Sequence, residues 1–172
     1  PNEDYDQYPR DIDTDLDILR SSKVDVVFIP EIDEMYPSGF LTTVVVDRLG
    51  DIYEGLERKG HFNGVATIVA KLFSLFRPTR AYFGAKDAQQ CAIVKKLNHD
   101  LNLGVEIVVS PTIREASGLA LSSRNVYLDK KQMRAALLIN QGLFQALDSF
   151  RSGERSTEAL CLIANNVIKS SP

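Results

Sequence analysis

The stretch Phe83-Gly84-Ala85-Lys86-Asp87-Ala88-Gln89-Gln90 places a glycine, a cation and polar side chains where a strand pattern hands over to a helical one. In open α/β sheets, ligands gather at the C-terminal ends of such strands. Backbone N–H groups and the positive end of the helix dipole face an anion there, and Lys86 adds a full charge for a phosphate. The same residues also fit a plain helix start, with Gly84 making the turn, Asp87 and Gln90 capping the helix and Lys86 solvated. Spacing alone leaves both readings open. The two-glycine Walker pattern of a P-loop is absent.

A second cluster, Gly118-Leu119-Ala120-Leu121-Ser122-Ser123-Arg124-Asn125, sets two hydroxyls beside a guanidinium. Serines and arginine bind phosphate oxygens together, and an arginine fork stabilises charge on a leaving pyrophosphate. Taken alone, the tripeptide fits a serine-capped turn with a surface ion pair better. The third cluster is Glu54-Gly55 followed by Arg58-Lys59-Gly60-His61-Phe62-Asn63-Gly64. Here His61 is suited to bonding a carboxylate or nucleotide oxygen, or to capping a helix, and Arg58 to pairing with an anion. No second histidine or cysteine lies nearby to build a transition-metal site. Asp13 and Asp15 sit in one helix turn, where they form a solvated acidic start or reach a Mg²⁺ held mainly by phosphates. His99 ends a helix and reads as a surface residue.

Several elements must position these clusters. A short helix is expected near Ile12 to Arg20, with Leu16 and Leu19 facing inward. Val24 to Ile29, a β-branched run ended by Pro30, predicts a buried strand, and Thr42 to Val46 another. From Gly64, the residues Val65, Ile68, Val69, Leu72, Phe73 and Phe76 define one helix face, closed by Pro78. Ala81 to Phe83 predicts a strand, Asp87 with Gln90 a capping-box helix start, and Val105 to Val109 a further strand. Strand, helix, strand, helix, strand in that order implies a parallel sheet. Two helices follow, one carrying Met133, Ala136, Leu137, Leu143, Phe144 and Leu147, the other Leu160, Ile163, Ala164, Val167 and Ile168 after a cap at Ser156.

The 172 residues, 44% of them apolar and 25% charged, suffice for a real core. A net charge of −3 removes a general attraction to nucleic acid. Cys91 and Cys161 lack metal-like spacing and read as reduced core thiols, which favours a reducing compartment. No apolar run approaches the roughly 18 residues of a membrane span, and the start lacks the pattern of a signal peptide.

In order and wording, the clusters resemble the pantothenate synthetase family. The resemblance rests on Asp4-Tyr5 with Tyr8-Pro9-Arg10, Glu34-Met35-Tyr36-Pro37 with Gly39, Glu54-Gly55, Gly60-His61-Phe62 with Gly64-Val65, Phe83-Gly84 with Lys86-Asp87 and Gln89-Gln90, Arg114-Glu115 with Gly118-Leu119-Ala120, and Ser122-Ser123-Arg124-Asn125 with Tyr127-Leu128. It implies an α/β fold, a Rossmann-like nucleotidyltransferase parallel sheet flanked by helices over residues 1–112, then part of a small C-terminal helical or α+β domain over 113–172. It implies a homodimeric cytoplasmic ligase using ATP and Mg²⁺, with pantoate and β-alanine as small-molecule substrates and neither nucleic acid nor membrane as partner. By the same resemblance, Gly84, Ala85, Lys86 and Asp87 lie on ATP with Leu121, Ser122, Ser123 and Arg124, and Ile113 lies beside the adenine. Lys86, Ser122, Ser123 and Arg124 serve the phosphates. Gln90 holds pantoate, while Glu54, Arg58 and His61 line the pantoate and β-alanine end with Val69 in its apolar wall. Asp15 is the Mg²⁺ candidate. Family members also carry an upstream His-x-Gly-His block, an Asn-Pro and Gln segment, and a C-terminal sheet, none of which is present. The sequence is therefore expected to be part of a longer chain, weakly active or inactive by itself. Lys59 and Ala85 depart from the family's usual proline and acidic residue.

Overall fold

A computed structural model describes residues 11–170. The block Asp4-Tyr5 with Tyr8-Pro9-Arg10 lies outside them. The chain divides into two compact units, residues 25–112 and residues 11–24 with 113–170.

The first unit is built on α4 (His61–Phe76), whose Phe62, Ala66, Val69 and Phe73 recur at helical spacing and are buried. Its helix starts at His61 rather than at Gly64, because Gly60, at φ 80°, turns the chain just before it. It ends at Arg77 in the left-handed region, directly before Pro78. β1 (Arg80–Gly84), α5 (Ala88–Asp100) and β2 (Glu106–Ser110) then form a β–α–β unit, the strands parallel and paired from Arg80 with Glu106 to Gly84 with Ser110. Ile93, Val94 and Leu97 of α5 meet the α4 stripe in one core, and Ala81, Phe83 and Ile107 pack against it. Asn98 fixes the return into β2, donating to Val105 O at 2.8 Å and accepting from Val105 N at 3.1 Å.

Two predicted strands are absent. Residues 24–29 and 42–46 run without regular structure, and neither pairs with another strand among the described residues. A β-branched run favours extended backbone, but a strand exists only where a neighbour takes its N–H and C=O groups. Val26 is 80% exposed, whereas Val44 and Val46 pack partly buried against the core without strand pairing. Each segment rests on α4, with Phe28 edge-on to Phe76 at 5.1 Å and Val44 N donating to the buried Thr67 hydroxyl at 2.9 Å. Between them, Glu31 and Glu34 form a capping box on the single turn α2 (Ile32–Met35).

In the second unit, α1 (Ile12–Ser21) matches its expected span. Its N-cap, Asp11, accepts from Thr14 N at 3.0 Å and from the Thr14 hydroxyl at 2.7 Å, bonds that hold its carboxyl below the usual carboxylate range. α6 (Lys130–Arg151) and α7 (Thr157–Ile168) pack together. An Asp129–Gln132 capping box starts α6, and the Ser156 hydroxyl caps α7 by accepting from Ala159 N at 3.3 Å. Gly142 is buried where the helices meet, and a Cβ there would lie 2.7 Å from Ala164 O. The absence of a side chain is what lets the backbones come so close.

The two cysteines part company here. Cys91 is buried, its thiol donating to Gly84 O at 3.2 Å, and burial pushes its pKa up. Cys161 is exposed, contrary to the core-thiol expectation, because it falls beside the stripe of Leu160, Ile163, Ala164 and Val167 rather than on it. A thiol reagent is therefore expected to label Cys161 in the native protein and Cys91 only after denaturation. Peptide mapping of maleimide adducts checks this, and native labelling of Cys91 would contradict it.

Candidate active site

The junction of β1 and α5 is held by backbone bonds, with Ala85 N donating to Ser110 O at 2.8 Å and Asp87 N to Gly84 O at 3.1 Å. Gly84 contributes its carbonyl to this turn, not a left-handed conformation, and an added Cβ would meet nothing within 4 Å. Asp87 is the N-cap residue of α5, but its side chain accepts no bond from the helix, so the expected capping box does not form. Its carboxylate lies 3.8 Å from Lys86 Nζ, and both side chains are about half exposed. The first turn of α5 therefore keeps N–H groups without a side-chain cap. Gln90 is half-buried in that turn.

The Glu54 cluster is a connected set. Glu54 opens the one-turn helix α3 (Glu54–Glu57), and its Oε1 accepts from Arg58 Nη1 at 2.7 Å. Arg58 Nη1 also lies 2.9 Å from His61 Nε2. A guanidinium only donates, so Nε2 is the acceptor and the ring proton sits on Nδ1. His61 is the first residue of α4, not its cap, and its ring packs against Phe62 with centroids 5.0 Å apart. Val69 is 8% exposed in the α4–α5 core. One residue that the sequence motifs quote without a role, Gln89, bonds to this segment at three points: Leu49 O, Ile52 O and Glu54 N. Nothing local in the sequence signals those bonds, which span 35 to 40 residues.

In the other unit, Ile113 and Leu121 are exposed and linked by Leu121 N donating to Ile113 O at 2.9 Å. With the Arg114–Ala120 bridge, this closes a small hairpin whose tip, Gly118 at φ 92°, faces the Asn140 amide. Asn125 Nδ2 ties the arms together by donating to Glu115 Oε1 at 2.9 Å and Ala120 O at 3.1 Å. Ser122 caps the 3-10 helix Ser123–Tyr127, its hydroxyl accepting from Arg124 N at 3.3 Å. Ser123 and Arg124 are exposed beside it. Asp13 and Asp15 stand exposed in the first turn of α1. Among the described residues, no group of three or more His, Cys, Asp or Glu could hold a metal, and no helix is long and apolar enough to cross a membrane.

A parallel β–α–β unit flanked by helices, with a lysine at an uncapped helix start after its first strand, defines an α/β fold of the nucleotidyltransferase kind. The family described as pantoate-beta-alanine ligase matches residues 1–172, and the chain belongs to that family. It is 50% identical over 172 residues to the pantothenate synthetase of Chloroflexus aurantiacus and 49% identical to that of Pelotomaculum thermopropionicum. All of this chain and 61% of each relative are covered, so the chain spans about three fifths of their length. Among solved structures, the pantothenate synthetase of Thermus thermophilus superimposes with a TM-score of 0.95 at 43% identity, over 100% of this chain and 62% of that one. The pantoate-beta-alanine ligase of Francisella tularensis, complexed with beta-gamma ATP and beta-alanine, gives 0.77 at 35% identity, over 95% and 61%.

Proposed function

We propose that this chain belongs to a homodimeric cytoplasmic ligase that condenses pantoate with β-alanine, using ATP and passing through pantoyl-adenylate. The observation that carries the reading is the uncapped start of α5 with Lys86, to which Gln89 ties the Glu54–Arg58–His61 set within one unit. Pantoate's carboxylate attacks the α-phosphorus of ATP, forming the acyl–phosphate bond as the bond to pyrophosphate breaks. The amine of β-alanine then attacks the acyl carbon, AMP leaves with the bonding pair, and the amine sheds a proton.

The chemistry asks for charge compensation and orientation rather than a covalent nucleophile. An anionic carboxylate must approach a polyanion, so Lys86, Arg124 and the uncapped first-turn N–H groups of α5 offset repulsion as charge moves toward pyrophosphate. Ser122 and Ser123 bind phosphate oxygens, Leu121 completes that loop, and Ile113 lies against adenine. Gln90 orients pantoate, with Val69 behind the apolar wall; Glu54, Arg58 and His61 line the end where β-alanine enters. A Mg²⁺ bound chiefly by phosphates needs only one or two protein carboxylates, which the exposed Asp15 fits without a larger cluster. When bound, the ion would neutralise phosphate charge.

Pyrophosphate exchange into ATP, assayed with the full-length gene product, is expected to depend on pantoate. Exchange supported by another acid but not by pantoate would replace the substrate; the absence of exchange with every acid tried would leave a nucleotide-binding module.

A further inference from the structure

Gln89 does more than follow the phosphate-binding turn. Its Oε1 accepts from Glu54 N at 3.1 Å, and its Nε2 donates to Leu49 O at 2.8 Å and to Ile52 O at 2.7 Å. Two of those bonds flank Tyr53, whose φ of 49° and ψ of −119° are unfavourable for a residue with a Cβ. Arg48, at φ 65°, is a second non-glycine residue in the left-handed region of this loop. Such conformations persist only where the surroundings over-determine them, and here the side-chain amide supplies that constraint. A primary amide offers two donors and an acceptor in one plane, which the two carbonyls and one N–H require. A carboxylate in its place would face both carbonyls without a proton to give.

What the loop delivers is Glu54. From Glu54 the order passes to Arg58 through the 2.7 Å ion pair and on to His61 at 2.9 Å. We infer that Gln89 is a positioning residue that docks the Glu54–Arg58–His61 set against the start of α5, and so fixes where pantoate and β-alanine lie relative to ATP. The inference rests on the functional reading above, but its physical core, an amide holding a strained loop, is separable from it.

The test compares Gln89→Met, which keeps the volume and removes the bonds, with Gln89→Glu, which keeps the acceptor alone, both in the full-length gene product. Misplacement of this kind is expected to raise KM for β-alanine and pantoate roughly 10- to 100-fold, with KM for ATP within about twofold of the parent. Amide hydrogen exchange across residues 49–54 is expected to quicken, while the melting temperature identifies which variants remain folded. Losses that fall equally on all three substrates in step with the folded fraction, or unchanged exchange in a folded variant, would overturn the inference. If the parent shows no pantoate-dependent exchange, the functional reading fails, and hydrogen exchange alone decides the clamp: faster exchange supports it and unchanged exchange removes it.

Discussion

Replacing Lys86 with alanine in the full-length gene product is expected to lower pantoate-dependent adenylation by roughly 10²- to 10³-fold, the range for removing one preorganised charge from a transition state. The fold should be indifferent. Lys86 is 42% exposed, and its ion contact with Asp87, at 3.8 Å, is a surface pair contributing at most about 1 kcal/mol. Stability and activity should therefore separate cleanly, with thermal unfolding little changed while turnover collapses. Arginine at the same position would restore charge without the compact geometry of an ammonium, so Lys86→Arg should recover part of the loss. Turnover of Lys86→Ala within a few-fold of the parent would reduce Lys86 to a solvated charge at a helix start.

The second large effect falls on stability. Gly55 is buried, and a Cβ there would lie 2.0 Å from Gly50 O and 3.4 Å from the Phe62 ring. The first contact is with backbone, so no side chain can swing aside and the loop itself must move. Gly55→Ala is expected to cost about 3 kcal/mol, the upper part of the usual overpacking range. Urea unfolding checks it, with a lowered midpoint at unchanged slope. Gly64→Ala supplies the contrast, since its Cβ meets nothing within 4 Å and it lies inside α4, where alanine gains up to about 1 kcal/mol over glycine. Equal midpoints for the two variants would mean that the loop at Gly50 relaxes freely.

These effects differ in how far the sequence foreshadows them. Lys86 is at least visible as a candidate, because a glycine and a cation between a strand pattern and a helix pattern fit an anion site as well as a plain helix start. Gly55 is not, since what crowds it is a carbonyl five residues away, in a loop that turns through Tyr53 at positive φ. The β1–α5–β2 unit and the long helices α4, α6 and α7 were legible because burial repeats at their own period. Residues 24–29 and 42–46 misled for the complementary reason. Composition reports that a segment would suit a strand, whereas hydrogen bonding requires a neighbour that composition cannot name.

For the site, residue types and order by themselves determined which side chains are on offer, a lysine, two serines and an arginine in two clusters and a glutamate, an arginine and a histidine in a third, and left open whether they bind anions. Tertiary structure decided that Asp87 leaves the start of α5 uncapped, that His61 accepts from Arg58, and that Gln89 holds Glu54. Side-chain type is local information, written at each position. Hydrogen-bond partnership is a property of distance in space, and the chain fixes that only by folding 35 to 40 residues back on themselves.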